Sequence, residues 1–423
     1  MKKILSVFCG LAPYEVAEFV AMVLLTVSVP LGWRMGLLSL LLFCGVVAAK
    51  IVITRRVGNA ALSRVGRCSL WLMVLYFLLH LFSVLYSCDT AAALHGVSIK
   101  LSMLLIALAV LASDMSYLKP KHLTVLTFCL SATLTLRFVA MLLRAFVGWR
   151  GGTPVEDLLD YHFDPLHHNY LALYLLSAVA LIFAQVTHHW NRCEWRWQRW
   201  AALADMMLLV LYLVIMGSRS GLVILALLAV AGMAYLALVR KRWVATCIVL
   251  AGLTLFVGIT YKALPELYWR IVYSAQQMAA GKNGDSRQTV WACGLEVLRG
   301  HELFGLGSGG YWDALYDSYV AHDFAEGYTH EQFDTHNQYL ETTLATGVVG
   351  LAVLLAIVVL PVWWALRRKS RNLSLVLFSI VYAGCIFFEA TFSRQMGLLF
   401  VPWWYALLLT IPEHEVGAAR IKT

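Results

Sequence analysis

The stretch QYLETTLATGVVGLAVLLAIVVLPVWWALRRKSR, residues 338–371, begins polar, continues through a long apolar run and stops at Arg367, Arg368, Lys369 and Arg371. About 20 apolar residues match the hydrocarbon thickness of a bilayer, and cations gathered beyond such a run mark its cytoplasmic end. The rest of the chain repeats the pattern. Of 423 residues, 61% are hydrophobic and 13% charged, and mean hydropathy is +0.74. Soluble cores carry less apolar residue and more charge, so the sequence reads as an all-α polytopic membrane protein. The net charge of +9 does not indicate nucleic acid, because Lys and Arg fall in small groups between apolar runs instead of forming one phosphate-binding face. Nine cysteines, most of them inside apolar runs and none in CxxC spacing, argue against a disulfide framework or zinc ribbon.

Twelve segments have the composition of spanning helices: 14–33, 36–54, 69–87, 96–113, 122–147, 168–187, 201–217, 220–239, 243–262, 338–363, 373–393 and 397–411. The last is short and carries Pro402, with Trp403 and Trp404 suited to a membrane–water interface. The N-terminal MKKILSVFCG is followed by Pro13, Glu15 and Glu18, which reads as a retained cytoplasmic start. One set of loops then holds Arg55, Arg56, Arg64 and Arg67, Lys119 and Lys121, Arg192, Arg196 and Arg199, Arg240, Lys241 and Arg242, and the 367–371 cluster. The opposite short loops hold only Arg34, Arg150, Arg219 and Arg394, an imbalance that puts the first set in the cytoplasm.

Three regions follow: spans one to nine in 1–262, a large outer loop in 263–337, and spans ten to twelve with a short cytoplasmic tail in 338–423. The loop opens with LPELYWRIVYSAQQM, expected to form a helix along the membrane surface from Pro265. A second helix is expected from Asp285 or Ser286 through RQTVWACGLEVLRG, with Val290, Trp291, Leu295 and Leu298 on its buried side.

Ionisable groups at membrane depth are functional candidates. On this orientation Lys100, Arg137, Arg144, Arg219 and Arg287 all fall at the outer level. Each could snorkel to lipid headgroups. Arg219 is the hardest to explain so, because the tight turn GSRSG leaves backbone N–H groups and a guanidinium together, the chemistry of a phosphate site. His336 falls at the start of the tenth span, where the helix dipole is expected to hold the imidazole neutral and able to take a proton; the alternative is a capping histidine. His330, Glu331, Asp334 and His336 match no common helical zinc spacing. GLGSGG (305–310) follows no apolar strand and reads as a backbone turn. His167 and His168 read as interfacial.

Four blocks, DPLHHNYLAL (164–173), SRSG (218–221), SRQTVWACGLEVLRGHELFGLGSGGY (286–311) and THNQYLETTLATGVVGLAVLL (335–355), resemble the O-antigen ligase and polymerase superfamily of bacterial envelope glycosyltransferases. The resemblance implies a GT-C-like fold in the inner membrane with its site on the periplasmic face. It implies a glycan donor on undecaprenyl diphosphate, a lipid A core acceptor in a ligase or a lipid-linked glycan acceptor in a polymerase, and transfer without metal, nucleotide or other cofactor. Arg219 matches the family's turn arginine, Arg287 its loop arginine and His336 its catalytic histidine, with Lys100, Arg137 and Arg144 as further donor-binding candidates. Ligase is the favoured reading. A transporter of lipid-linked glycans is the competitor from another class, and would distribute charge through the bilayer and pair broken helices in two halves.

Overall fold

The computed structural model describes residues 7–152, 166–189, 196–263, 276, 286–324, 329, 333–367 and 372–411. Among these the regular structure is helical. The first half contributes α1 (Pro13–Leu31), α2 (Trp33–Thr54), α3 (Arg64–Ser83), α4 (Thr90–Ala112), α5 (Pro120–Arg150) and α6 (His168–His189). The second contributes α7 (Arg196–Ile215), α8 (Arg219–Ala234), α9 (Trp243–Ala263), α10 (Ser286–Val297), α11 (Tyr311–Ala321), α12 (Gln338–Arg367), α13 (Leu373–Phe388) and α14 (Gln395–Thr410). Among the described residues, nine helices are long and apolar enough to cross a bilayer, and Trp243–Gly252, Leu373–Phe388 and Gln395–Thr410 are shorter apolar helices. The surface helix expected at 264–278 lies outside the described residues, apart from residue 276.

Helix α14, the weakest span by sequence, is the most enclosed element of the bundle. Every residue from Gly397 to Thr410 is buried, and the helix touches α1, α2, α3, α4, α6 and α13. Trp403 and Trp404, expected at an interface, are completely buried instead. The physical reason is that the indole finds its polar partner inside: Trp403 Nε1 donates to Thr26 Oγ1 on α1 at 3.1 Å, and the ring packs edge-on against Phe43 of α2. A helix apolar on all sides belongs in the middle of a bundle, not at its rim.

At the end of α4 opposite the outer loop, Lys50 of α2 is buried and donates to Glu18 Oε2 of α1 at 2.7 Å and to Ser113 Oγ at 3.2 Å. One buried charge satisfying another, with a hydroxyl completing the shell, ties the first two helices to the end of the fourth.

The expected tenth span is not continuous. Helix α12 breaks at Gly347, whose φ of 68° and ψ of −167° leave the helical region. A break at membrane depth strands carbonyls and amides that lipid cannot satisfy. The stretch 302–309 satisfies them: Leu306 N donates to Leu344 O at 2.7 Å, Gly307 N to Ala345 O at 3.1 Å, and Val348 N to Glu302 O at 2.8 Å. The same segment is gripped from its other side, where Ser308 N donates to Ser83 Oγ at 3.1 Å and Gly309 N to Ser87 Oγ at 3.0 Å. The run 305–310 is thus a backbone turn, as read, but one inserted between α3 and the broken α12 and not displayed outside the bundle.

Helix α10 docks on the first half of α12. Val290 and Cys293 are fully buried against Tyr311, Leu315 and Tyr319 of α11 and Leu340 and Leu344 of α12. Leu295, expected on the buried side, is 59% exposed. The face that closes on α12 runs through positions 290, 293 and 294, because Gly294 lets Leu340 lie against the helix backbone.

Two outcomes are expected. Gly347→Ala would place a methyl within 2.1 Å of Leu303 O at a positive φ, so thermal unfolding of the purified protein should show a loss of at least about 2 kcal/mol; an unchanged midpoint would mean that the break is not fixed in solution. In a cysteine-free background, a cysteine at exposed position 313 should react with an impermeant reagent in intact spheroplasts, whereas one within 367–371 should react only after lysis.

Candidate active site

Helix α12 is capped by Asn337, whose Oδ1 accepts from the amides of Tyr339 at 2.9 Å and Leu340 at 3.1 Å. The capping role considered for His336 therefore belongs to its neighbour. His336 stands one residue outside, in the left-handed region at φ 47°. For a non-glycine residue that conformation costs about 1 kcal/mol, offset here because His336 N donates to Asp334 Oδ1 at 2.9 Å. Residue 335 is pinned from both sides: Trp291 Nε1 of α10 donates to Thr335 O at 3.0 Å, and Thr335 Oγ1 donates to Glu341 Oε2 at 3.0 Å. Tyr311 and Ser393 donate to the other oxygen of Glu341 at 2.6 and 3.2 Å. The histidine is thus held by the loop helices as well as by α12.

Its ring lies between two buried carboxylates. His336 Nδ1 is 3.1 Å from Asp334 Oδ1 and 3.6 Å from Glu389 Oε2, while the side chain keeps 26% exposure. Burial disfavours the imidazolium, but Glu389, 3.6 Å from Nδ1, and Asp334 outweigh both burial and Arg287, so the pKa of the ring is raised. The sequence position, at a helix start, predicts a ring held neutral by the helix dipole. A helix end contributes about half a charge, whereas two carboxylate oxygens lie 3.1 and 3.6 Å from the ring nitrogen. Two carboxylates around one ring do not both ionise freely: Asp334 is pushed up to about 7, first by burial and then by Glu389. Glu389 is held low against its own burial by His336, His167 and the amide of Asn169.

Asn169, near the start of α6, donates Nδ2 to Glu389 Oε2 and accepts at Oδ1 from Ser220 Oγ at 3.2 Å. Ser220 belongs to the SRSG turn, where Ser218 Oγ caps α8 by accepting from Gly221 N at 3.2 Å. Arg219, between those serines, is exposed at the first position of α8. Arg287, in the first turn of α10, is half-buried with its guanidinium 6.0 Å from the Phe388 ring, beside Glu389. The turn carrying Arg219, Arg287 and His336 are therefore drawn towards one point by α6, α8, α10 and the α13–α14 corner.

The other cations sit elsewhere. Lys100 is buried on α4, its Nζ 3.4 Å from Gly96 O, on the Glu341 side of the 334–341 segment. Arg137 Nη1 donates to Pro30 O at 2.9 Å, closing the last turn of α1, where carbonyls lack intrahelical partners. Arg144 is exposed on α5. His167 and His168, expected to be merely interfacial, border the cluster: their rings lie 4.3 Å apart. Burial lowers the pKa of His167, with Arg394, His336 and Arg287 adding to it against Glu389.

Sequence reasoning missed Glu389, the partnership of Asp334 and the bridging role of Asn169. Glu389 carried a signal, an isolated acid closing the apolar run LVLFSIVYAGCIFF. His330 and Glu331 lie outside the described residues. The ligating atoms of Asp334, His336 and Glu389 fall within 4.8 Å of one another. That spacing would also admit a cation, but the ring nitrogen facing both acids already has a carboxylate oxygen at 3.1 Å, and Arg287 opposes added positive charge. The arrangement suits holding and moving a proton.

Residues 206–355 match a family model described as O-antigen ligase. No curated protein matches the chain. The matched stretch runs from α7 into α12 and includes Arg219, Arg287 and His336, and it supports the O-antigen ligase family and a membrane role of ligase or polymerase type.

If neutral His336 is the working base, turnover should rise with pH through a limb above the ordinary histidine value of about 6.5. Glu389→Gln removes a charge that holds the imidazolium, so the limb should move to lower pH and the plateau should fall. A limb below the ordinary value in the unaltered protein would contradict this electrostatic account.

Proposed function

We propose that the chain is an O-antigen ligase that moves a glycan from undecaprenyl diphosphate to a hydroxyl of the lipid A core oligosaccharide, on the periplasmic face of the bacterial inner membrane. The observation that carries the reading is the His336 ring, held on its Nδ1 side by Asp334 and Glu389 and partly open to solvent, with Arg287 and the Arg219 turn on the elements around it.

With Nδ1 turned to the carboxylates, Nε2 is the atom available to accept a proton. The acceptor hydroxyl oxygen attacks C1 of the donor sugar and its proton passes to His336 Nε2. The bond from C1 to the diphosphate oxygen breaks, and its electron pair leaves with undecaprenyl diphosphate. Direct displacement inverts the anomeric centre. Arg219 and Arg287 stabilise the charge that develops on the leaving phosphate oxygens, the task that a metal serves in other glycosyl transfers. Lys100, Arg137 and Arg144 were candidates for the same grip. Of these, Lys100 suits it best by burial, while the bond of Arg137 to Pro30 O fits a structural role. In this reading 1–262 and 338–423 form the membrane bundle, and 263–337 is the periplasmic loop between its spans.

Purified protein given undecaprenyl-diphosphate glycan and lipid A core should yield transferred product on a gel, with excess EDTA present and no nucleotide added. Product formed only with a second lipid-linked glycan would assign a polymerase, and loss of activity restored by a divalent ion would return the Asp334, His336 and Glu389 cluster to a metal role. Arg219→Ala and Arg287→Ala should raise donor KM and lower kcat, and Lys at either position should rescue only in part, since a point charge lacks the planar fork. His336→Ala should lower kcat by about a hundredfold or more with little change in donor KM.

A further inference from the structure

The geometry points to Asn169 as a positioning residue that holds Glu389 against His336 and ties this pair to the turn carrying Arg219. The inference rests on the general-base reading of His336 and adds to it a residue outside the matched stretch 206–355.

Asn169 is buried, with 8% of its surface exposed, in the first turn of α6. Its side chain faces a carboxylate with one end and a hydroxyl with the other. Nδ2 donates to Glu389 Oε2, and Oδ1 accepts from Ser220 Oγ at 3.2 Å. The oxygen that Asn169 holds is also the one that faces His336 Nδ1 at 3.6 Å. A glutamate at the end of a helix turns freely about its last torsion unless something fixes it. An amide that donates at one end and accepts at the other removes that freedom. Aspartate has the shape but no donor when ionised, and leucine has the shape but neither function.

Ser220 in turn fixes the amide. Its hydroxyl lies 3.4 Å from Ser218 Oγ, the cap of α8, so the far end of the relay is anchored in the turn whose middle residue is Arg219. Four side chains from four separate stretches thus form one line, in which Ser220, Asn169 and Glu389 are joined by hydrogen bonds and His336 Nδ1 faces the last of them at 3.6 Å. A donor diphosphate gripped by Arg219 acts on a turn already bonded, through Asn169, to the carboxylate that orients the base. His336 is faced by Asp334 from its own segment, Glu389 from the α13–α14 corner, Arg287 from α10, and His167 and His168 from the entrance of α6. Asn169 is uncharged, so its replacement by an acid changes the sum of these charges in a known direction.

The test uses full-length protein with lipid-linked donor and lipid A core acceptor, reading kcat and donor KM across pH for the unaltered chain, His336→Ala, Asn169→Leu, Asn169→Asp and Ser220→Ala. Asn169→Leu should lower kcat by about tenfold to a hundredfold while donor KM stays within about twofold. Asn169→Asp should move the acidic limb to higher pH, because one more negative charge beside Glu389 holds the imidazolium, and part of the lost rate should return in alkali. A merely structural asparagine would give a loss of equal size at every pH. Ser220→Ala removes one hydroxyl and leaves the turn, so it decides the matter even where the Asn169 variants fail to fold; it should lower kcat by about threefold without raising donor KM. Asn169→Asp with an unmoved limb, Asn169→Leu with unaltered kcat, or Ser220→Ala with a change confined to donor KM would overturn the positioning role. A limb that persists in His336→Ala would instead remove the general base itself, so the two failures read differently.

Discussion

Hydrocarbon offers no partner to a peptide group, and that constraint governs the outer half of this molecule. Once α12 breaks at Gly347, the carbonyls of Leu344 and Ala345 and the amide of Val348 need partners from elsewhere in the chain. The segment 302–307 supplies them. Every other feature of the site hangs on that exchange. The inserted segment fixes where α10 and α11 emerge, α10 packs Val290 and Cys293 against the detached half-helix, and Trp291 and Glu341 hold Thr335 in place beside His336. A continuous helix would need no such insertion, and the loop would have no reason to lie on the bundle.

The second governing effect is electrostatic, and its direction follows from magnitudes. Near the start of α12 the helix dipole and Arg287 both favour neutral imidazole, while Asp334 and Glu389 favour the cation. Dipole effects are worth about 0.3–1 kcal/mol and fade within a turn; a carboxylate at hydrogen-bond distance in a half-buried site exceeds that. The result is a stronger base than sequence position alone would give. That strength has a cost, since a base with a raised pKa spends more of its time protonated at neutral pH. Arg287 restrains the shift.

The bundle was largely legible because its signal is local: apolar runs and flanking cations can be counted along the chain. The same locality explains the errors. Trp403 and Trp404 look interfacial until the hydroxyl of Thr26 on a distant helix is seen beneath them. Leu295 looks buried until Gly294 turns out to be where α12 approaches. The break in α12 has a glycine as its only local mark, and a glycine in an apolar run is commonplace. In the site, Arg219, Arg287 and His336 could be named because each sits in a recognisable stretch; Asn169 sits in one too, DPLHHNYLAL, but its tie to Glu389, 220 residues away, exists only in the fold.

This division bears on how such a site can vary. The stretch 206–355 holds Arg219, Arg287 and His336. The groups that set the proton affinity of His336 come from both sides of that boundary: Asp334 lies within it, and Asn169 and Glu389 lie outside, on α6 and at the α13–α14 corner. A change confined to α6 or the α13–α14 corner can therefore shift the proton affinity of His336 while leaving the arginines and the histidine as they are, by altering one hydrogen bond to one buried oxygen. The reverse is harder. Moving His336 disturbs its Asp334 turn, the Asn337 cap and the Thr335 anchors at once, because all three are built on consecutive residues of one backbone.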